Sequence, residues 1–395
     1  MFENLKAQPA DGILKLIAEY ENDPREQKID LGVGVYRDER GRTPVLASVK
    51  QAERAVLEEQ DSKSYLGSGG DPVFNRLIQG LVFGEQHARS ERIATLHTPG
   101  GSGALRVAAG LILRARPEVK VWAPAPTWAN HAPLLGGAGL TLEAYPYYDD
   151  SARALRFDDL LAALGNLDAG DMVLLHACCH NPTGIDPTPG QWQDIVSLIS
   201  ERKLVPFVDM AYQGFATGLD EDAMPVRLLF AAVPEMIVAS SCSKNFGLYR
   251  DRIGSLSVVG RDASASAVLR SQAHNIVRTM YSMPPDHGAA VVRRILSDAA
   301  LKAAWIGELD AMRARLKSMR GKLVAALAKA APGHDFSHLE RANGLFSFLG
   351  IGEARVEKLK RDAGVYMVAS SRINVAGITG DNVGYLAESI AAVLE

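Results

Sequence analysis

The sequence contains little cysteine, no strong excess of charge of either sign and no long apolar run. Its 395 residues include three cysteines, of which Cys178 and Cys179 are neighbours. An odd number of cysteines with this spacing argues against a disulfide framework and favours a reducing environment, so we expect a cytoplasmic protein. The formal net charge of -3 excludes the strongly basic surface with which proteins bind nucleic acid or anionic membranes.

The apolar runs all fall short of the roughly 18 residues that a membrane-spanning helix requires. The N-terminal residues also lack the basic stretch and apolar core of a secretion signal. We therefore expect no membrane partner. Two histidines and two cysteines fall between His176 and His180, but successive residues on a strand point to opposite faces, so we expect no metal site there.

What the sequence does contain is an ordinary globular composition, with 47% hydrophobic and 23% charged residues. Between about residues 95 and 260, short apolar runs alternate with longer helix-compatible stretches. This alternation is typical of parallel strands joined by crossover helices and predicts a doubly wound α/β sheet. The predicted strands are 119–123, 172–177, 205–209, 236–239 and 253–259.

The two ends of the chain have a different character. Asp11 is a plausible cap for a helix that begins near Ile13. After about residue 295, a run rich in Ala, Leu, Lys and Arg over 301–331 predicts a long helix, which leads into shorter mixed segments. These features predict a second, smaller α+β domain after the sheet.

Lys244 lies in the segment Ser-Cys-Ser-Lys-Asn-Phe-Gly, which begins at Ser241 and is followed shortly by Arg252. An amine beside an anion site could form a Schiff base with the aldehyde of pyridoxal phosphate, while the serines and Arg252 bind the phosphate. A surface lysine in a polar turn is the alternative that this segment leaves open.

A second candidate phosphate site is the glycine-rich run 98–106, which includes Gly101 and Ser102 at the start of a predicted helix. Exposed backbone N–H groups at such a helix start bind phosphate. A plain tight turn fits the run equally well. A dinucleotide site is disfavoured, because the next strand ends in Ala and Pro where that site needs an acidic residue.

Several polar and aromatic residues follow the predicted strands, at the sheet edge where α/β proteins bind ligands. Asp209 ends one strand, and its carboxylate could keep a pyridine nitrogen protonated; a helix cap is the alternative. Tyr212 and Asn181 offer a phenol and an amide nearby, although the Asn-Pro-Thr-Gly turn alone would indicate only a loop. Trp128 could stack on a flat cofactor or pack in the core.

Two arginines, Arg278 and Arg372, could together hold both ends of a dicarboxylate, because a guanidinium binds a carboxylate through two hydrogen bonds. Each is also compatible with an ordinary surface arginine.

Taken together and in this order, these segments resemble the aspartate and aromatic aminotransferases of the class I aminotransferase family, which use pyridoxal phosphate. The resemblance covers essentially the whole chain. Its motifs are LGVGVYRDERGRTPVL, HNPTG, VDMAYQGF, SCSKNFGLYRDRIG and SRINVAG. It implies the fold type I of pyridoxal-phosphate enzymes, with a large, mostly parallel sheet domain over 41–305. The arm and part of the small domain would be 1–40, and the C-terminal small domain would be 306–395.

The resemblance also implies roles for the residues around the cofactor ring. Lys244 resembles the Schiff-base lysine that moves the proton between the substrate and the cofactor. Asp209 resembles the partner of the pyridinium nitrogen. Asn181 and Tyr212 match the donors to the phenolic oxygen of the ring, and Trp128 matches the residue that stacks on the ring.

Further positions match residues that bind the phosphate and the substrate. The phosphate site would comprise Gly101, Ser102, Ser241 and Arg252, with Tyr65 reaching it from the neighbouring subunit of a homodimer. The substrate α-carboxylate would be bound by Arg372 and Gly34, beside Trp128 and Asn181. Arg278, also supplied across the dimer, would bind a side-chain carboxylate.

The function that the resemblance implies is a ping-pong transamination from aromatic amino acids and from aspartate to 2-oxoglutarate. Met283 stands where aspartate aminotransferases usually carry Asn, which should leave Arg278 less firmly held and admit aromatic side chains. Ser371 and Gly100 also depart from the usual pattern, which has Gly and Ser there. A strict aspartate aminotransferase is the nearest alternative.

Two other classes of function stay open from the residues. A lyase or decarboxylase on the same fold would keep Lys244 and Asp209 but would not need Arg278. A non-catalytic protein would tolerate loss of the lysine or the aspartate, whereas every catalytic position is filled here.

Overall fold

The computed structural model describes residues 1–7 and 12–395, so the predicted cap Asp11 lies outside the described residues. The α-helices are α1 (Gly12–Asn22), α2 (Ala47–Glu59), α3 (Pro72–Phe83), α4 (Gly100–Ala115), α5 (Phe157–Gly165), α6 (Pro189–Arg202), α7 (Leu219–Ala232), α8 (Ala263–Met280), α9 (His287–Ser297), α10 (Ala299–Ala330), α11 (Glu353–Ala363) and α12 (Val383–Leu394). The described helices include none that is long and apolar enough to cross a membrane.

The strands are β1 (Ile29–Asp30), β2 (Ile93–Pro99), β3 (Lys120–Ala125), β4 (Thr141–Pro146), β5 (Tyr148–Asp149), β6 (Ala154–Leu155), β7 (Met172–His176), β8 (Val205–Met210), β9 (Met236–Ser241), β10 (Ile253–Val259), β11 (Phe346–Phe348), β12 (Val365–Tyr366) and β13 (Arg372–Asn374). Seven of them form one sheet in the order β2-β10-β9-β8-β7-β3-β4. The mixed α/β architecture with a large, mostly parallel sheet is therefore confirmed.

Within this seven-stranded sheet, the predicted direction of one strand was wrong, and two strands were not predicted. Strand β10 was expected among the parallel strands but runs antiparallel to both β9 and β2. Its apolar pattern is the same in either direction, so periodicity alone does not distinguish the two. Strands β2 and β4 were not predicted because polar residues interrupt their apolar runs. All the predicted strands are present, with small shifts at their ends.

The sheet is buried on both faces, which is why its central strands are almost continuously apolar. One face packs on α4 and α8 through small and branched residues such as Ala104, Ala108 and Ile276. The other face packs on a larger cluster that extends through α6, α7, α9 and α10. This double cover leaves the carboxyl ends of the parallel strands as the open edge where loops can build a site.

The chain ends meet beyond this sheet. Strand β1, near the N-terminus, pairs in parallel with β12, and β11 pairs with β13. Helix α10 is the long helix that the sequence predicted; it carries Trp305, whose indole stacks on Phe246 at a centroid distance of 4.2 Å and donates to the Asn245 carbonyl at 2.7 Å. Trp305 thereby fixes the turn that follows Lys244.

Candidate active site

The site lies where neighbouring strands end together. His176 on β7, Asp209 on β8 and Ala239 on β9 are in register, so the loops after these strands converge. Asn181 follows β7 and Lys244 follows β9. They face a cavity of about 300 Å³, which is lined by these predicted residues: Gly34, Gly101, Ser102, Trp128, Asn181, Asp209, Tyr212, Ser241, Lys244, Arg252 and Arg372.

Lys244 is held in the cavity wall, with its ammonium nitrogen 4.7 Å from the centroid of the Tyr212 ring. Burial lowers the pKa of Lys244 to about 8, because the charged amine is removed from water. The Asp209 carboxylate opposes this shift and the Arg252 guanidinium adds to it. At neutral pH roughly a tenth of this amine is therefore unprotonated, far more than of an exposed lysine, and a nucleophilic lysine must be unprotonated.

We expect the amine of Lys244 to react with an amine-directed reagent at a pH midpoint of about 8 in the cofactor-free protein. An ordinary exposed lysine titrates at about 10.4, so its labelling should have a midpoint more than two pH units above that of Lys244. Labelling with trinitrobenzenesulfonate, followed by peptide mass spectrometry, measures both midpoints. Exposed Lys322 serves as the internal control. A Lys244 midpoint as high as that of Lys322 would contradict this expectation.

Asp209 is the end of a hydrogen-bonded chain. Its Oδ2 accepts from His131 Nε2 at 2.9 Å, and the other His131 ring nitrogen contacts the Thr127 hydroxyl at 2.8 Å. Thr127 in turn contacts His176 Nε2 at 3.0 Å. Burial acts to raise the pKa of Asp209, but the hydrogen bond and charge of His131, with the charges of His176 and Lys244, outweigh it and lower the pKa. The carboxylate is thus held as an anion at the cavity floor.

Asn181 and Tyr212 lie side by side in the cavity. The Asn181 amide donates to the Tyr212 hydroxyl at 3.4 Å, a long hydrogen bond. The amide oxygen of Asn181 is buried without a partner among the described residues. Burial raises the pKa of Tyr212, and the Asp209 charge raises it further, so the phenol keeps its proton. Both side chains therefore have hydrogen-bonding capacity to offer a ligand.

An anion site closes one end of the cavity. Helix α4 begins at Gly100, and no side chain caps it. The N–H groups of its first turn, where Gly101 and Ser102 line the cavity, are therefore available to bind an anion. Ser241 lies against Gly101, and Arg252 donates to the Ser243 hydroxyl at 3.4 Å. These groups are the donors that a phosphate prefers.

The departure at Gly100 has a structural reason. Its backbone has φ +70°, and a Cβ there would lie 2.5 Å from Arg252 Nη2. Glycine thus lets the Arg252 guanidinium approach the start of α4. At Ser371, the other departure, φ is +59° and the side-chain oxygen accepts from the Gly350 N–H at 3.0 Å. That hydrogen bond offsets part of the cost of a left-handed serine.

The opposite end of the cavity carries Arg372 above the Phe346 ring, with its Cζ 4.2 Å from the ring centroid. Arg372 Nη2 donates to the Gly32 carbonyl at 2.9 Å, while its Nε is buried without a partner among the described residues. A Cβ at Gly34 would lie 3.0 Å from Phe346 Cζ, so glycine is needed for this close approach. Asn374 holds the same segment by donating to the carbonyls of Val33 and Val35.

Tyr249 connects the segment 32–36, which contains Gly34, to the loop that carries Lys244. Its hydroxyl accepts from the Tyr36 N–H at 2.8 Å, and its ring lines the cavity. Its backbone carbonyl accepts from Arg252 at 3.0 Å. No local pattern predicts this role, because the hydrogen-bond partner of Tyr249 lies 213 positions away in the sequence.

Tyr249→Phe should raise the KM for the amino-acid substrate that the resemblance implies about 5- to 30-fold and change kcat less than about threefold. The variant leaves a largely buried N–H without its acceptor, which costs about 1–2 kcal/mol and loosens the segment that carries Gly34. Steady-state kinetics separate the two constants. Tyr385→Phe is the matched control, because that hydroxyl makes a 2.8 Å hydrogen bond to the Ala363 carbonyl and lies outside the cavity. Equal effects of both variants would contradict a positioning role.

Two predicted residues are not in the cavity of this chain. The side chain of Tyr65 is 91% exposed, and Arg278 is exposed near the end of α8. Their segments nevertheless adjoin, because the Leu66 N–H donates to the Met283 sulfur at 3.1 Å. Arg278 donates to the Ser282 hydroxyl of the same turn. Their expected contribution to a neighbouring subunit's site stays a prediction.

Other cavity residues were missed by the sequence. One is Phe346, which lines the cavity and supports Arg372. His131 was missed too; it does not line the cavity but hydrogen-bonds Asp209, 78 positions away in sequence. His131 lies three residues after Trp128, and that spacing was the only available signal.

The histidines and cysteines of 176–180 do not themselves form the group of potential metal ligands found among the described residues. Cys178 and Cys179 approach Asp222, with their potential ligand atoms within 4.8 Å of one another. The Asp222 carboxylate already accepts from four backbone N–H groups, of Gly214, Ala216, Thr217 and Gly218. Hydrogen bonding to Cys179 and burial raise the pKa of Cys178, and burial raises the pKa of Cys179 to about 11. Protonated thiols beside a saturated carboxylate are poor metal ligands.

Comparison with known proteins relates this geometry to a family. Residues 26–390 match the family described as aminotransferase class I and II. The chain is 48% identical over 396 residues to the aspartate aminotransferase of Escherichia coli (strain K12), with all of both chains covered. It is 44% identical to the aromatic-amino-acid aminotransferase of Pseudomonas aeruginosa, covering 99% of this chain and 98% of that protein.

Solved structures give the same relationship. The aromatic-amino-acid aminotransferase of Burkholderia pseudomallei, solved covalently bound to pyridoxal phosphate, superimposes with a TM-score of 0.98. It shares 40% identity, and all of both chains is covered.

Proposed function

The chain belongs to the class I and II aminotransferases, and from that premise we propose that it moves the amino group of aromatic amino acids and of aspartate to 2-oxoglutarate. Its relatives include enzymes named for both kinds of donor at similar identity. The observation that carries the proposal is the meeting in one cavity of the Lys244 amine, the Asp209 anion and the uncapped start of α4 beside Arg252.

Pyridoxal phosphate fits the residues of this cavity. The uncapped helix start, the serines and Arg252 would hold its phosphate, and the Asp209 carboxylate would face its ring nitrogen. The amide oxygen of Asn181 has no hydrogen-bond partner among the described residues, so a polar group of a bound ligand would complete its hydrogen bonding. When bound, this cofactor supplies an aldehyde that bonds to amines and a ring that withdraws electrons from the substrate α-carbon.

The chain's own residues then have separate tasks. Arg372 binds the donor's α-carboxylate and fixes which α-carbon bond faces Lys244. The Lys244 nitrogen, with its pKa lowered to about 8, would take the proton from the substrate α-carbon and release it to the cofactor carbon that carries the amino group. Asp209, whose carboxylate is kept ionised by the hydrogen bond from His131, would supply the negative charge that faces the ring nitrogen. Amino transfer to the second substrate runs the same steps backward, in a ping-pong order.

A donor panel tests the proposal. The purified holoenzyme is mixed separately with aspartate, phenylalanine and tyrosine, and the absorbance of the bound cofactor is followed in a single half-reaction. All three donors should react, and 2-oxoglutarate should restore the original spectrum. If phenylalanine and tyrosine react far more slowly than aspartate, the enzyme is a strict aspartate aminotransferase. Continued turnover without any 2-oxo acid, beyond one product per bound cofactor, would instead indicate a lyase or decarboxylase.

We further propose a homodimer in which Tyr65 and Arg278 enter the partner's cavity. Several large apolar side chains around them are exposed on the single chain, including Leu66 (44%) and Met280 (42%). Mixed dimers of Lys244→Ala and Arg278→Ala chains test this sharing. One cavity of such a dimer would contain both wild-type residues and recover aspartate activity, whereas sites built from one chain would both stay defective.

Arg278→Ala should lower kcat/KM for aspartate about 100- to 1000-fold and that for phenylalanine less than about threefold. The side-chain carboxylate of aspartate would lose two charge-assisted hydrogen bonds to the guanidinium, which costs about 3–4 kcal/mol of binding free energy. The benzyl side chain of phenylalanine makes no such bonds and loses nothing. Met283→Asn is the companion variant, expected to shift the ratio toward aspartate, because Met283 now bonds the Leu66 N–H and leaves Arg278 held by Ser282 alone among the described residues. Equal losses for both donors would contradict a carboxylate-selective role.

A further inference from the structure

A second cavity, of about 470 Å³, lies apart from the active site. It is formed between α3, the loop that leads into β2 and the first turns of α8, and it shares no lining residue with the active-site cavity. Its volume is in the range of cavities that hold small-molecule ligands.

Three arginines from three different elements line this cavity. Arg76 is on α3, Arg89 is in the loop before β2, and Arg270 is on α8. None of the three makes an ion pair or a side-chain hydrogen bond with another described residue. One carboxylate, that of Glu91, also lines the cavity and is likewise without an ion pair within the described part of the chain. The cavity therefore carries an excess of positive charge that attracts anions.

The cavity floor contains an unused hydroxyl. Ser266 is 2% exposed, and its Oγ has no hydrogen-bond partner among the described residues. Gln79, another buried floor residue, differs because its oxygen accepts from Thr95 at 3.0 Å and its nitrogen donates to the His87 carbonyl at 3.2 Å. Buried polar groups are nearly always hydrogen-bonded, so the free hydroxyl of Ser266 indicates that a partner from a ligand or water completes this site.

We propose that this cavity binds an oxyanion of the polyphosphate class that carries two or more negative charges. A guanidinium fork matches phosphate oxygens through paired hydrogen bonds, and arginine is weakly hydrated enough to lose water on binding. Three arginines and one glutamate leave two net positive charges, which a single monoanion would not neutralise. The floor hydroxyl supplies a neutral donor to one further oxygen.

Inorganic pyrophosphate is the probe for this site. Isothermal titration of the holoenzyme saturated with pyridoxal phosphate keeps the active-site phosphate position filled, so it reports the second cavity. We expect one pyrophosphate per chain, with affinity that falls as salt is raised. Each of Arg76→Gln, Arg89→Gln and Arg270→Gln should weaken binding about 10- to 100-fold, and Ser266→Ala about fivefold.

Arg261→Gln is the matched control, because Arg261 is exposed next to the same end of α8, pairs with Asp262 at 3.7 Å and does not line the cavity. It should bind pyrophosphate like the parent, and all five variants should keep the aspartate half-reaction and the melting temperature of the parent. Absence of pyrophosphate binding would overturn the proposal. So would equal weakening by Arg261→Gln, which would indicate diffuse charge attraction, or tighter binding of citrate than of pyrophosphate, which would reject the polyphosphate class.

Discussion

Lys244→Ala is expected to reduce kcat at least about 10⁴-fold, because the proposed function requires one amine to serve as both the nucleophile and the proton carrier. Lys244 is the only lysine among the residues that line the described cavity, so no second amine can substitute for it. The loss should appear in the first half-reaction with every donor, since the α-proton must move regardless of the side chain. Stopped-flow absorbance of the bound cofactor measures it directly.

The same variant should keep its cofactor-binding groups. In the proposed site, Arg252, the serines and the start of α4 would hold the phosphate without help from the lysine, so pyridoxal phosphate should still bind but be removable by dialysis. Lys244→Arg retains the positive charge without a usable nucleophile and should be equally inactive. Lys322→Ala removes an exposed lysine and should be fully active. An inactive variant with no cofactor binding at all would show that Lys244 acts mainly in assembling the site.

Asp209→Asn should lower kcat about 100- to 5000-fold while the protein stays folded. Removing one member of a buried charge pair costs about 3–5 kcal/mol, and each 1.36 kcal/mol is tenfold in rate. The side chain of Asp209 is only 11% exposed and its Oδ2 bonds His131, so neither water nor another carboxylate can replace the charge. Single-turnover rates with aspartate and phenylalanine should fall by similar factors, because the ring nitrogen is common to both reactions.

A second measurement separates charge from shape in this variant. The Asp209 carboxylate raises the pKa of Lys244 against the effect of burial, so its neutral replacement should move the Lys244 labelling midpoint below about 8. Exposed Asp194→Asn is the matched control and should leave both rate and midpoint unchanged. If Asp209→Asn lowers the rate but leaves the midpoint at its original value, the effect is one of packing and the electrostatic role is wrong.

Much of the candidate site was predicted, partly from residue order and partly from the family resemblance. Eleven predicted positions line one cavity, although Gly34 and Arg372 are separated by most of the chain. Parallel strands make this possible, because all their carboxyl ends lie at one edge, and a residue just after an apolar run is placed there whatever the intervening helix contains. Lys244, Asp209 and Asn181 were found in this way.

The features that escaped prediction depend on contacts across long sequence separations. Strand β10 joins the sheet antiparallel because of its pairing with β2 and β9, which its own apolar pattern does not specify. His131 and Tyr249 act through partners 78 and 213 positions away. The unpaired arginines of the second cavity lie on three elements that only the folded chain brings together.

The sequence by itself determined the kind of chemistry, because an amine, a carboxylate and carboxylate-binding arginines in a fixed order restrict the reaction whatever their exact distances. Only the tertiary structure decided the protonation states. The pKa of Lys244 falls to about 8 through burial, and Asp209 stays ionised through His131. These effects depend on desolvation and on charges a few ångströms away, and neither quantity is a property of a residue's neighbours in sequence.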